Sequence, residues 1–172
     1  MRKYKSDNNV IMKKREKDVL FQLLRNSKLS DREMAKKLNT SQSTITRTRH
    51  KLENKYIKSY TIVPNLAELD VSLIAFTLLS TTNPATDTMK KVNEFIEKQP
   101  NIVFVGHGEG MEKTGIFISF HKNFTEYTEF MQKTRLICKG FGENVESFLV
   151  PTEKLLRTLS MSNAIEHLVG KE

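Results

Sequence analysis

Leu29-Ser30-Asp31-Arg32-Glu33-Met34-Ala35-Lys36-Lys37-Leu38-Asn39-Thr40-Ser41-Gln42-Ser43-Thr44-Ile45-Thr46-Arg47-Thr48-Arg49-His50-Lys51-Leu52 is the stretch that decides how this chain is read. Ser30 followed three positions later by Glu33 forms a capping box, in which the serine oxygen takes the Glu33 amide and the carboxylate reaches back. The short helix it opens buries Met34, Ala35 and Leu38. Asn39 tolerates the left-handed backbone that a tight reversal needs. Thr40 and Ser41 are both competent N-caps for a further helix running to about Asn54, with Ile45, Thr48 or Arg49, and Leu52 inward. Two helices free of glycine and proline, with small Ala35 at their approach and β-branched Ile45 beneath the second, make a helix-turn-helix. The second helix turns Gln42, Ser43, Thr46, Arg47 and His50 outward, side chains that reach base edges and phosphates. Ser41, Arg49 and Lys51 complete the predicted DNA-contacting set.

Working outward, residues from about Lys13 to Asn26 carry Val19, Leu20, Leu23 and Leu24, the stripe of an amphipathic helix, and Asn26-Ser27-Lys28 breaks it. On the other side Lys55-Tyr56-Ile57-Lys58-Ser59-Tyr60-Thr61-Ile62-Val63 alternates in polarity and is rich in β-formers, predicting a strand or short wing. Pro64-Asn65 then opens a linker. The charge follows this division. Residues 1–63 hold seventeen Lys and Arg against six Asp and Glu, a net of +11, whereas residues 64–172 hold eleven against fourteen, a net of −3. The basic excess therefore sits wholly in the segment that carries the motif, as expected of a half that meets a polyanion.

The remainder alternates strands and helices. Val71 to Leu79 reads as a strand. Asn83-Pro84 supplies an N-cap and a first-turn proline for a helix with Met89, Val92, Phe95 and Ile96 inward, which Pro100 stops. Ile102 to Val105 and Gly115 to Phe120 read as strands joined by a glycine-punctuated turn. Asn123 and Glu126 cap a helix using Tyr127, Phe130 and Met131 and ending near Gly140, and Val145 to Val150 is the last strand. The order is βαββαβ, the split ferredoxin-like arrangement. After Pro151 a final amphipathic helix is expected, with Leu155, Leu156, Leu159, Ile165 and Leu168. The fold class is thus α+β, a winged helix-turn-helix over residues 1–63, a linker over 64–70, a βαββαβ dimerisation and effector domain over 71–150 and a C-terminal helix over 151–172.

Several chemistries are not supported. The N-terminus lacks the apolar core of a signal peptide, and the longest apolar run, Val71 to Leu79, is too short to span a bilayer, which points to a cytoplasmic protein without membrane partners. One cysteine, Cys138, neither staples a fold nor makes a zinc site, and an inert thiol is its default. His50, His107, His121 and His167 have no metal-ligand spacing, so no metal is expected. Gly106, Gly108 and Gly110 lack the Gly-Lys-Ser/Thr ending of a phosphate loop, and no cofactor or catalytic residue is assigned.

The run Leu29 to Leu38, then Ser41-Gln42-Ser43-Thr44-Ile45-Thr46-Arg47 and Leu52-Glu53, closely resembles the helix-turn-helix of Lrp/AsnC-type (leucine-responsive) regulators. Tyr56 to Pro64 resembles that family's exit strand and hinge, and the βαββαβ order its ligand-sensing domain, so the resemblance covers about residues 14–150. It implies a sequence-specific transcriptional regulator of double-stranded DNA. It further implies homodimers, often assembled into tetramers or octamers, whose C-terminal domains pair through their sheets. It also implies an amino-acid effector site at a glycine-centred turn, here Gly106, His107, Gly108, Glu109 and Gly110. The family usually has an aspartate there; this chain runs on through Met111-Glu112-Lys113 with glutamates instead.

Two other readings share the same plan. Haem-pathway decarboxylases of the sirohaem type use this two-domain layout, but Gln42, Ser43, Thr46 and Arg47 speak for DNA, and fold alone does not set function. The other is a non-DNA interaction or RNA-binding protein; an RNA-recognition sheet would carry an aromatic-basic signature strand that stacks bases, which is not present, and the acidic balance of the second half also opposes it.

Overall fold

The computed structural model describes residues 12–81, 86–139, 142–157 and 161–170. The chain divides into two units, one formed by residues 1–63 together with 157–172 and one by residues 64–156.

The N-terminal part of the first unit holds helices α1 (Lys14–Arg25), α2 (Asp31–Lys37) and α3 (Gln42–Lys55). The predicted capping box is formed, with the Glu33 amide donating to Ser30 Oγ at 3.2 Å and the Ser30 amide to Glu33 Oε2 at 2.8 Å. Those bonds to its ionised form hold the Glu33 carboxyl below its ordinary range. Asn39 has φ 48°, the left-handed reversal read from sequence. Around it the Thr40 amide donates to Ala35 O and the Asn39 amide to Lys36 O, which caps the last carbonyls of α2 in a Schellman arrangement. Ser41, not Thr40, caps α3, its Oγ accepting from the Thr44 amide at 3.3 Å. Val19, Leu20, Leu23, Met34, Ala35, Ile45 and Leu52 close over one another as the core, with Leu38 at its margin.

Two expectations for this unit are corrected. Residues 57–63 form no strand: Tyr56 and Ile57 fold onto the helical core, and from Lys58 onward the chain is exposed, with Ile62 76% accessible. A strand needs a neighbour for its backbone amides, and among the described residues none pairs with this segment. The C-terminal helix, α6 (Ser162–Gly170), starts well after Pro151; Leu155 and Leu156 precede it, Leu159 lies outside the described residues, and Leu168 is 73% exposed. Its apolar contacts are Ile165 and Val169, packed against the helix-turn-helix core.

The second unit is a four-stranded antiparallel sheet in the order β2-β3-β1-β4, formed by β1 (Leu73–Thr81), β2 (Ile102–Gly110), β3 (Lys113–His121) and β4 (Gly142–Pro151). Helices α4 (Thr86–Glu97) and α5 (Phe124–Cys138) make the crossovers, giving the expected βαββαβ order. Asn123 and Glu126 cap α5 as read, with the Glu126 amide donating to Asn123 Oδ1 at 2.9 Å. Asn83-Pro84 and the side chain of Met89 lie outside the described residues. The core holds Ala75, Phe117, Tyr127, Phe130 and Met131, with Phe95, Ile102 and Leu149 packed against it. Phe117 meets Phe130 edge-on at 6.0 Å.

The hairpin between β2 and β3 differs from expectation. Gly106, Gly108 and Gly110 belong to strand β2, and the chain reverses at Met111-Glu112, both left-handed at φ 54° and 58°. Gly110 pairs with Lys113, leaving a two-residue loop whose positive φ values match the right-handed twist of the strands. Pairing shifts register between His107 and Gly110, so Gly108 and Gly110 lie in an irregular strand end and Gly106 in the regular ladder before it, none of them in the turn.

Candidate nucleic-acid interface

Helix α3 presents the candidate site because its opposite side is anchored. Successive residues turn about 100° around a helix. Ile45 and Leu52, seven positions apart, therefore share one line, and both are fully buried. Ser43, Arg47 and His50 fall on the far side and are exposed. Gln42, Ser43, Thr46, Arg47 and His50 together line one open surface depression. Arg47 is exposed, and no hydrogen bond or ion pair of its side chain is found among the described residues. His50 Nδ1 lies 3.3 Å from Glu53 Oε2, and that carboxylate also accepts from Tyr60 Oη at 2.9 Å.

The other predicted contacts are used inside the unit. Ser41 is the N-cap, and its Oγ also lies 2.7 Å from Thr44 Oγ1 and 3.1 Å from Ser43 Oγ. Arg49 is 18% exposed; its Nε lies 2.7 Å from Asp31 Oδ1, and its Nη2 donates to Leu29 O at 2.7 Å. Lys51 donates to the buried Glu16 carboxylate on α1. The Lys51 bond, then the Lys13 amide, holds the Glu16 carboxyl below its ordinary value, and Glu16 in turn raises Lys51. Thr46 sits at the margin, its Oγ1 donating to Asp31 Oδ2 at 2.6 Å. The wheel position of Arg49, about 40° from Ile45, agrees with the inward placement offered for it beside Thr48; the acidic partners of Arg49 and Lys51 lie on other helices and carry no local signal.

Gly106, His107, Gly108, Glu109 and Gly110 are placed far along the sequence from α3, on edge strand β2, with Gly106 half-buried and the other four exposed. Among the described residues no group of His, Cys, Asp and Glu could hold a metal, and no helix is long and apolar enough to cross a membrane.

No protein-family model matches the chain, and no curated protein matches it in sequence. Solved structures do match. A transcriptional regulator of Neisseria meningitidis, solved as a complex with L-Met, superposes with TM-score 0.79 at 20% identity, covering 91% of this chain and 99% of its own. An AsnC family transcriptional regulator from Agrobacterium tumefaciens gives 0.74 at 18%, covering 88% and 99%. E. coli AsnC gives 0.70 at 14%, covering 87% and 99%.

The chain has the fold of AsnC-type transcriptional regulators.

In this AsnC-type fold both units are accounted for, since each of those matches extends over nearly the whole of the other chain. The α+β assignment made from sequence holds.

Proposed function

We propose that this protein is a DNA-binding transcriptional regulator that reads duplex DNA through α3. The observation that carries the reading is the α3 face itself. Gln42, Ser43, Thr46, Arg47 and His50 share one open depression on a helix whose reverse side is buried. Such side chains supply amide and guanidinium groups for base edges and hydroxyls for phosphates. The basic charge of the first 63 residues supplies the sequence-independent attraction. The likeness in fold to transcriptional regulators supports the same reading, and non-enzymatic action with it.

The regulator acts as a dimer or a larger assembly joined through the open face of its sheet. Phe104, Ile118, Phe76 and Phe148 lie directly opposite one another across all four strands. Phe148 is 69% and Phe104 51% exposed. An apolar row of this kind, spanning a sheet from edge to edge, is a surface that a second copy covers by two-fold symmetry. Two α3 helices so related meet two half-sites of a palindromic operator.

An amino acid is the effector class favoured by the L-Met complex of the Neisseria regulator. Gly106 to Gly110 would contribute its backbone groups and His107 and Glu109 its polar ones. These residues stand on an exposed edge, so the site would be completed by a neighbouring subunit.

Selection of bound duplexes from a random library, followed by a mobility-shift titration, tests the DNA reading. A consensus with two related half-sites is expected. Absence of binding at low salt, or affinity indifferent to salt, would overturn it.

A further inference from the structure

The contacts that hold α3 in place are unequal. Among its residues only Ile45 and Leu52 are buried apolar side chains, and they lie on a single line along the helix. Two apolar anchors on one line hold the helix to the core along a narrow stripe, leaving the polar contacts on its flanks to fix its rotation. On one flank, Asp31 at the start of α2 accepts from Thr46 Oγ1 through Oδ2 at 2.6 Å, and its Oδ1 lies 2.7 Å from Arg49 Nε as an ion pair that lacks hydrogen-bond geometry, while Arg49 Nη2 donates to Leu29 O at 2.7 Å. On the other flank, Lys51 reaches Glu16 of α1. Thr46 and Arg49 stand about 100° and 40° round from Ile45. A single carboxylate therefore grips the helix at two angular positions.

We propose that Asp31 is the positioning residue of α3, holding the helix in the one rotation that keeps Arg47 and His50 outward and withholding the charge of Arg49 from DNA. This rests on the reading of α3 as the DNA-contacting helix. Asp31 touches no nucleotide itself. It acts through Thr46, whose hydroxyl proton it accepts, and through Arg49, whose guanidinium it turns toward the Leu29 carbonyl. Arg49 and Asp31 are both about four-fifths covered, so the pair is screened less than a surface ion pair.

The two roles give D31N a signature that loss of stability does not. Release of Arg49 adds one cation able to meet a phosphate, so affinity for random duplex rises several-fold and its salt dependence steepens by about one counterion. Loss of the rotational hold costs base contacts, so the preference for the selected duplex over a random one falls by roughly five- to a hundred-fold. A merely unfolding variant would weaken both duplexes by the same factor. D31N/R49A should return the salt slope to that of the parent while the preference stays reduced.

The experiment is a titration of the full chain and these variants against the selected and random duplexes over a series of salt concentrations. It is paired with a denaturation cycle on Asp31→Asn and Thr46→Val. Opposite changes on the two duplexes and a non-zero coupling between Asp31 and Thr46 are expected. Equal weakening of both duplexes, an unchanged preference, or zero coupling overturns the proposal. If the parent binds no DNA, the proposed function fails, and the role of Asp31 in recognition falls with it; the coupling then reports only whether the helical lock exists.

Discussion

Glu166 of α6 and Arg25 of α1, 141 positions apart, meet through two hydrogen bonds, from Arg25 Nε at 2.8 Å and Nη2 at 2.6 Å. This bidentate contact, with Ile165 and Val169 packed on the helical core, makes the last helix a member of the helix-turn-helix unit. Removal of residues 157–172 should therefore accelerate amide exchange at Val19, Leu20 and Leu23 while leaving β1 and β3 protected. Ile165→Ala should lower stability by about 1–2 kcal/mol, since its side chain is only partly buried. Glu166→Ala should matter less, because Arg25 remains largely in water. Unchanged exchange in α1 after truncation would remove α6 from this unit.

Anchoring and reading separate cleanly on α3. Leu52→Ala empties a fully buried position and should cost about 2–5 kcal/mol in chemical denaturation. Arg47→Ala should change stability by less than ~0.5 kcal/mol, because its side chain is exposed. On the selected duplex it should nevertheless lose about 1–3 kcal/mol of binding. Comparable stability losses for the two variants would mean that the outward face has been misplaced.

Phe148 lies opposite Phe76 and is mostly exposed. Phe148→Glu places a charge at the β4 end of the apolar row in the proposed contact between sheets. The full-length variant should scatter light as a monomer at concentrations where the parent is a dimer or larger. Persistence of the parent's assembly would direct attention to another surface.

A Cβ built at Gly108 meets nothing within 4 Å, so Gly108→Val is accommodated by the chain itself. Its melting temperature without ligand should stay near that of the parent. If an amino acid binds across this strand from a neighbouring subunit, the parent should melt higher in its presence by mass action, and the rise should vanish in the variant. A purely structural contact between dimers would instead show no ligand effect and would break into dimers on substitution. With neither effect, the hairpin has no regulatory role.

His121 is buried beneath α5, with Nε2 2.8 Å from Ser119 Oγ and Nδ1 3.5 Å from Asn101 Nδ2. Tyr127 and Phe130 cover its ring at 5.4 and 5.2 Å. Burial lowers its pKa, against a smaller upward pull from Glu126. The ordinary value, about 6.5, applies once the chain unfolds. Below it the unfolded state binds a proton that the folded state refuses, so this contribution to stability is present above pH 6.5 and lost as pH falls through the folded pKa. Denaturation midpoints should drop between pH 7 and 5, and His121→Gln should flatten that part of the profile. A parallel drop in the variant would assign it to other groups.

Helices α1, α2 and α3 were legible because their signals are short-range. The capping box at Ser30 and Glu33, the reversal at Asn39 and the spacing of Ile45 and Leu52 each act within a few residues. The βαββαβ order was legible for the same reason, from strand-length apolar runs separated by capped helices. So was the outward placement of Ser43, Arg47 and His50, since one periodicity sets both faces of a helix. What sequence alone could not decide was the partner of each polar side chain. The sequence assigns Arg49 and Lys51 to the DNA-contacting set, whereas the fold brings Asp31 and Glu16, on other helices, against them. The Lys55 to Val63 run has strand composition but forms no strand, because pairing belongs to two segments and not to one. The final helix carried no sign of where it docks. Its place on α1 depends on a side chain 141 positions away, and only the folded chain puts Glu166 within hydrogen-bonding reach of Arg25.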